Sequence, residues 1–122
     1  MNEDFAPFEL AVKLKEKGFD APCYGYYHCN GGNDSFELCG NGDCDFLNSK
    51  NKHRIAAPTI PQVLKWLREE NKIHIRPSVY HIGWDFDITT TEGERIYDSI
   101  GRYNSYEQAS LAGIEYALDN LI

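Results

Sequence analysis

Apolar residues recur at helical spacing in three stretches of the chain, residues 4–17, 59–72 and 105–122. The second and third stretches each begin with a capping box, in which a Thr or Ser is followed three residues later by Gln. These pairs are Thr59 with Gln62 and Ser105 with Gln108. Gly18 follows the first stretch, at the position where a left-handed glycine ends a helix. The pattern therefore predicts three helices, two with a marked start and one with a marked end.

Apolar and polar residues alternate in three further stretches, at 73–79, 84–90 and 95–100. In the middle stretch Trp84, Phe86 and Ile88 alternate with polar residues, so that one face is apolar and the other polar. Connections as short as those between the stretches join antiparallel neighbours. Residues 58–122 are therefore predicted to form helix, three antiparallel strands and helix.

Residues 18–57 are less regular, with short apolar runs near 23–28, 36–38 and 45–47 and a strong turn signal at 30–34. We expect an irregular hairpin or short meander there. The whole chain is then of the α+β class, a single domain over residues 1–122 with one antiparallel sheet and its helices packed on one face.

Composition and charge argue against some classes of function. The chain has 122 residues, 42% of them hydrophobic, and a formal net charge of −7. Double-stranded RNA-binding domains share the α-β-β-β-α order but need basic residues at the last helix, and no Lys or Arg occurs from Tyr103 onward. We therefore do not expect nucleic acid as a partner. The sequence also shows no membrane-length apolar run and no signal peptide, so we expect a cytoplasmic protein without a membrane partner.

Four cysteines cluster within 22 residues of the chain: Cys23, Cys29, Cys39 and Cys44. In the cytoplasm their thiols are expected to be reduced, which leaves zinc binding or no special role. Only Cys39 and Cys44, separated by four residues, approach the two-to-four-residue spacing that is typical of a zinc knuckle. The cysteines are candidate metal ligands, and no cofactor other than zinc is expected.

Two aspartates of the middle strand are the candidate catalytic residues. Asp85 and Asp87 alternate along the strand, which places them on one face about 7 Å apart, a distance at which two carboxylates can share Mg²⁺. Glu92 or Glu94 would complete such a site. The competing interpretation is the solvated face of a half-buried sheet, although aspartate is disfavoured in strands.

Histidines supply no clear catalytic arrangement. His74 and His81 lie on or beside the first of the three strands, where a histidine can act as a general base. The sequence places no nucleophile next to either residue, and no G-x-S-x-G, H-E-x-x-H, P-loop or G-x-G-x-x-G pattern occurs. We interpret both as surface histidines.

Three segments carry a resemblance to known sequences: KLKEKGFDAPCY at 13–24, AAPTIPQVLKWLRE at 56–69 and YEQASLAGIEYAL at 106–118. They resemble a group of small uncharacterised proteins of Bacteroides-type gut bacteria and their prophages. The resemblance implies a cytoplasmic protein encoded by a phage or mobile element, and it transfers no catalytic residue. Three of the four cysteines lie outside the matched segments.

The leading hypothesis is a non-enzymatic accessory module that binds another protein, or a second copy of itself, through the sheet face or an exposed edge. One alternative is a metal-dependent hydrolase or nuclease that uses Asp85 and Asp87. The other is a zinc-stabilised binding module that uses the four cysteines.

Overall fold

The computed structural model describes residues 5–38, 48, 53–80, 83–99 and 103–122. In this part of the chain it shows three α-helices, one short 3₁₀ helix at Gly32–Ser35 and six strands, so the predicted α+β class is confirmed. The helices are α1 (Phe8–Glu16), α2 (Ile60–Asn71) and α3 (Tyr106–Asn120). The strands are β1 (Gly25–His28), β2 (Glu37–Leu38), β3 (Arg54–Ala56), β4 (Ile73–Tyr80), β5 (Gly83–Thr90) and β6 (Arg95–Asp98).

The strands form two three-stranded antiparallel sheets, in the orders β2-β1-β3 and β4-β5-β6. The three antiparallel strands predicted for residues 58–122 are present as β4-β5-β6, and the hairpin expected in residues 18–57 is present as β1 and β2. The apolar run at 45–47 lies outside the described residues. A second three-stranded sheet was not predicted; it arises because β3 pairs with β1 through Tyr26 and Ala56, residues far apart in sequence that no local turn signal connects. The chain divides into two compact units, Met1–Gln62 and Val63–Ile122, with the division inside α2. That the two make one domain stays a prediction.

Helix α1 begins later than predicted and ends as predicted. It starts at Phe8 with Pro7 as its N-cap, because the residue before a proline is disfavoured in helical conformation. At its end Gly18 has φ +89° and donates to the Lys15 carbonyl, while the Phe19 N–H donates to the Leu14 carbonyl at 2.9 Å. This pair of bonds is a Schellman motif, which satisfies two carbonyls of the last turn.

In the first unit α1 packs on β1 and β3. The buried cluster there consists of Ala11, Tyr27, Ile55 and Ala57, with Phe8, Val12, Cys29 and Phe36 packed against it. The Tyr27 hydroxyl is buried and donates to the Ala6 carbonyl at 2.6 Å, so this large ring adds apolar area to the core without an unpaired polar atom.

The capping box predicted at Thr59 is complete, whereas only one of the two capping-box hydrogen bonds is present at Ser105. Thr59 donates its N–H to Gln62 Oε1 at 2.8 Å, and Gln62 donates its N–H to Thr59 Oγ1 at 3.3 Å. At α3, Gln108 donates its N–H to Ser105 Oγ at 3.1 Å, but Gln108 Oε1 accepts from Asn104 rather than from Ser105. The starts of α2 and α3 are thus confirmed to within one residue.

In the second unit α3 covers one face of the β4–β5–β6 sheet. Gly113 permits the close approach, since a Cβ atom there would lie 2.6 Å from Ile75 Cγ2 and 3.2 Å from Phe86 Cδ2. Further along the helix Tyr116 stacks on Tyr97 of β6. The apolar residues of the alternating strands therefore face α3, as hydrophobic burial requires.

Strand β6 carries a bulge. Ile88 of β5 pairs with Tyr97, but Thr89 pairs with Arg95, so that Ile96 is an extra residue in β6. A bulge of this kind shifts the facing of the residues that precede it.

Candidate functional site

The face of the β4–β5–β6 sheet opposite α3 is polar. Along the β4–β5 ladder, cross-strand pairing joins His74 to Thr89, Arg76 to Asp87 and Ser78 to Asp85. Asp98 of β6 extends this row, because it pairs with Asp87 from the other side. We call these residues, with Arg95, the polar face.

Charges of opposite sign are paired across this polar face. Arg76 donates from Nε to Asp87 Oδ1 at 2.8 Å and from Nη2 to Asp87 Oδ2 at 3.0 Å. Such a two-pronged bond fixes the orientation of both side chains. Arg95 makes a second ion pair, with Asp98, three residues further along β6.

Asp85 is engaged in a different way. It accepts hydrogen bonds from the Ser99 hydroxyl and from the Phe86 N–H. The Phe86 N–H also donates to Ser99 Oγ at 3.2 Å, so the three residues form a small hydrogen-bond network between β5 and the end of β6. A cavity of about 230 Å³ opens beside it, lined by Ser78, Asp85, Phe86, Asp87, Arg95, Asp98 and Ser99.

The structure brings Asp85 and Asp87 to one face, as their alternation predicts. Each carboxylate, however, already has partners, and Glu92 and Glu94 do not line the cavity beside them. In the described part of the chain no group of three or more His, Cys, Asp or Glu residues is arranged to hold a metal ion. A metal-dependent hydrolase that uses these aspartates stays a prediction.

A second cavity, of about 390 Å³, lies toward the other end of the β4–β5 ladder. Its walls combine the last turn of α2, the start of β4, the end of β5 and the turn that follows. They consist of Arg68, His74, Arg76, Thr89, Thr90, Thr91 and Gly93. We call it the basic cavity, because no acidic side chain of the described residues lines it.

The electrostatic environment of the basic cavity affects the pKa of His74. Partial burial lowers the pKa of its imidazole below the ordinary value of 6.5, and the nearby positive charges of Arg68 and Arg76 lower that pKa further. His74 is therefore neutral at pH 7, with one ring nitrogen able to donate and the other to accept. Neither arginine of this cavity, nor Thr89, was singled out from the sequence. The sequence signal that could have identified this cavity is the alternation in β4, which places His74 and Arg76 on the same face of the strand.

His81 lies outside the described residues, so its prediction as a surface histidine is not tested.

The cysteines are only partly described. Cys23 is buried, and its thiol donates to the Gly25 carbonyl at 3.3 Å. Cys29 is half-buried beside the core of the first unit. Cys39 and Cys44, the pair with the better zinc spacing, lie outside the described residues. A zinc site that uses the four cysteines stays a prediction.

The tyrosines of β1 have separate roles. Tyr27 belongs to the core, whereas Tyr26 points to the other side of its sheet, where its hydroxyl donates to Glu37. That hydrogen bond lowers the pKa of the Glu37 carboxyl and raises the pKa of the Tyr26 hydroxyl. The Arg54 guanidinium lies 4.6 Å from the centre of the Tyr26 ring, which adds a cation–π contact.

Comparison with known proteins adds no assignment: no family model, no curated protein and no solved structure matches this chain. Of the helices described, none has both the length and the apolar character needed to cross a membrane.

Proposed function

We propose that this chain is a cytoplasmic, non-enzymatic accessory module, encoded by a phage or mobile element, that binds another protein through the polar face. The observation that carries the proposal is the contrast between the two faces of the β4–β5–β6 sheet. One is covered by α3, and the other presents two ion pairs held in place by the strands. Preorganised charges of this kind give a protein interface its specificity and register.

The edges of this sheet are poorly suited to binding by strand addition. Pro77 lies in the edge strand β4 and has no N–H to donate. At the opposite edge β6 is short, charged and bulged. These features are the ones that natural sheets use to prevent edge-to-edge pairing. The face is therefore favoured over the edges as the contact surface.

The charge pattern indicates the kind of partner. In the order Arg76, Asp87, Asp98 and Arg95, the two negative charges are neighbours and each has an arginine as its ion-pair partner, so the four charges balance. A partner with a uniform charge would be repelled by half of the row. We therefore expect a protein surface of mixed charge, bound with an affinity that falls as salt screens the contacts.

Site-specific photo-crosslinking tests this proposal. A photoreactive amino acid is introduced at position 78, an uncharged position of the polar face, and at position 115, an exposed position of α3, as the matched control. In a lysate of a Bacteroides-type gut bacterium, we expect position 78 alone to capture one defined protein. The purified partner should then bind Asp98→Lys at least tenfold more weakly than the unchanged chain, and Glu115→Lys with unchanged affinity.

Three outcomes contradict the proposal: equal capture from both positions, capture of a second copy of the chain alone, or equal binding of the partner by the two lysine variants. The second outcome would instead show that the polar face joins two copies of this protein.

A further inference from the structure

The basic cavity has a net positive wall in a protein that is acidic as a whole. The chain carries 19 Asp and Glu against 12 Lys and Arg. Two of those arginines, Arg68 and Arg76, nevertheless converge on one cavity together with His74. Asp87 compensates the charge of Arg76 through their ion pair, so the charge of Arg68 is the one that an incoming anion would balance.

Arg76 is oriented before any ligand arrives. Asp87 takes only two of the five N–H donors of its guanidinium, through Nε and Nη2. Three donors remain, and the ion pair holds the group in place on the strand. A ligand that meets a fixed guanidinium loses less conformational entropy than one that must order a mobile side chain.

Arg68 supplies the second positive charge from a different element. It lies in the last turn of α2, and within the residues described it forms no ion pair. Both arginines line the cavity beside His74, and their charges add to the burial that lowers the pKa of its imidazole, while the Asp87 carboxylate opposes this shift. Arg68 is thus the group whose charge an incoming anion would neutralise most directly.

Hydroxyl groups complete the wall. Thr89 is buried and pairs with His74 across the strands. Thr90 also borders the cavity, where its Oγ1 accepts the backbone N–H groups of Glu92 and Glu94 and so fixes the turn. The side-chain donors therefore come from the end of α2 and from strands β4 and β5.

We infer that the basic cavity binds a phosphate group, either the free ion or the end of a small phosphate monoester. Donors that approach from several elements suit the four diverging oxygens of a tetrahedral anion better than the two coplanar oxygens of a carboxylate, which one guanidinium satisfies. The volume of about 390 Å³ is at the lower end of the range for small-molecule sites, which is about 300–1,000 Å³. The basic cavity shares His74, Arg76 and Thr89 with the polar face, but phosphate binding there does not rest on the protein contact proposed above.

The test is a titration of the full chain with inorganic phosphate, phenyl phosphate and acetate, followed by NMR and calorimetry. We expect both phosphates to bind with a Kd on the order of 1 mM or tighter and to shift the amide signals of Thr89–Thr91. Acetate should bind at least tenfold more weakly. Tighter binding of phenyl phosphate identifies a monoester as the ligand, whereas equal binding identifies the phosphate ion.

Arginine variants locate the site. Arg68→Gln and Arg76→Gln should each weaken phosphate binding about tenfold, because each removes a charge-assisted hydrogen bond. Arg95→Gln is the matched control: it removes an arginine of the same sheet face that does not line the basic cavity, and its binding should be unchanged. Arg76→Lys keeps a positive charge opposite Asp87, so its comparison with Arg76→Gln separates a loss of phosphate binding from a loss of folding.

The inference is overturned if no phosphate binds, if acetate binds as tightly as phosphate, or if Arg95→Gln weakens binding as much as Arg68→Gln.

Discussion

The rings of Tyr97 and Tyr116 stack with their centroids 3.9 Å apart and their planes inclined by 17°. This contact joins β6, an edge strand, to α3. We predict that Tyr116→Ala lowers the free energy of unfolding by about 2 kcal/mol, from the lost apolar contact and the lost stacking. Urea denaturation measures it. A double-mutant cycle with Tyr97→Ala should show a coupling of about 0.5–1.5 kcal/mol, and strictly additive effects would contradict a direct contact.

Gly113 sets the distance between α3 and the sheet. Although alanine is favoured over glycine within a helix by about 1 kcal/mol, we predict that Gly113→Ala destabilises the protein by about 1–3 kcal/mol. The new methyl group would meet Cγ2 of Ile75, a β-branched side chain that has little freedom to move aside. In an Ile75→Ala background the same change should become neutral or stabilising. A stabilised single variant in urea denaturation would disprove the close approach.

Ser105 is the N-cap of α3, and its hydroxyl accepts the Gln108 N–H. Ser105→Ala should therefore cost about 1 kcal/mol of stability, whereas Ser105→Asp should retain most of it. Thermal unfolding followed by circular dichroism compares the three chains, and hydrogen exchange at Gln108 should accelerate in the alanine variant alone. Equal exchange in the alanine and aspartate variants would show that the cap contributes nothing.

The lowered pKa of His74 has a defined effect on stability. The unfolded chain takes up a proton near pH 6.5, whereas the folded chain takes it up only at a lower pH. The unfolded state therefore binds more protons as the pH falls through 6.5, and stability falls with it, while above that pH His74 has no effect. His74→Gln should flatten the loss of stability between pH 7 and pH 5, as measured by denaturation midpoints. His53→Gln, at an exposed histidine, is the control; an equal effect of both variants would refute the assignment.

The effect of divalent metals on the melting temperature tests the alternative that the protein is a metal-dependent hydrolase. Because Asp87 is held by Arg76 and Asp85 by Ser99, we expect Mg²⁺ and Mn²⁺ to leave the melting temperature unchanged. A rise in the unchanged chain that Asp87→Asn abolishes would contradict this expectation and support a metal-dependent enzyme. Arg76→Gln frees the carboxylate of Asp87, and it is the variant in which weak metal binding should first become measurable.

Local signals in the sequence were sufficient for the elements but not for their long-range pairing. Thr59, Ser105 and Gly18 mark helix ends through bonds to residues three to five positions away, so the sequence alone identifies those ends. The pairing of Tyr26 with Ala56 has no such signal, because the two residues are far apart in sequence and no short turn joins the two strands.

For the candidate site, the sequence likewise predicted which residues share a face but not which residues contact each other. Alternation places Asp85 and Asp87 on one face, and the structure agrees. It does not reveal that Arg76 neutralises Asp87, which requires the register of β4 on β5. Alternation also does not predict that Arg68 lies near His74, because that depends on how the end of α2 leads into β4.

The extra residue in β6 changes what an insertion or deletion would do there. In a regular strand residues three apart lie on opposite faces, yet Arg95 and Asp98 are partners because Ile96 adds one step between them. Removal of Ile96 would leave the two charged residues two apart, which again places them on one face. Related chains that differ in length by one residue at this position would therefore display the same surface, even though an alignment would show a gap.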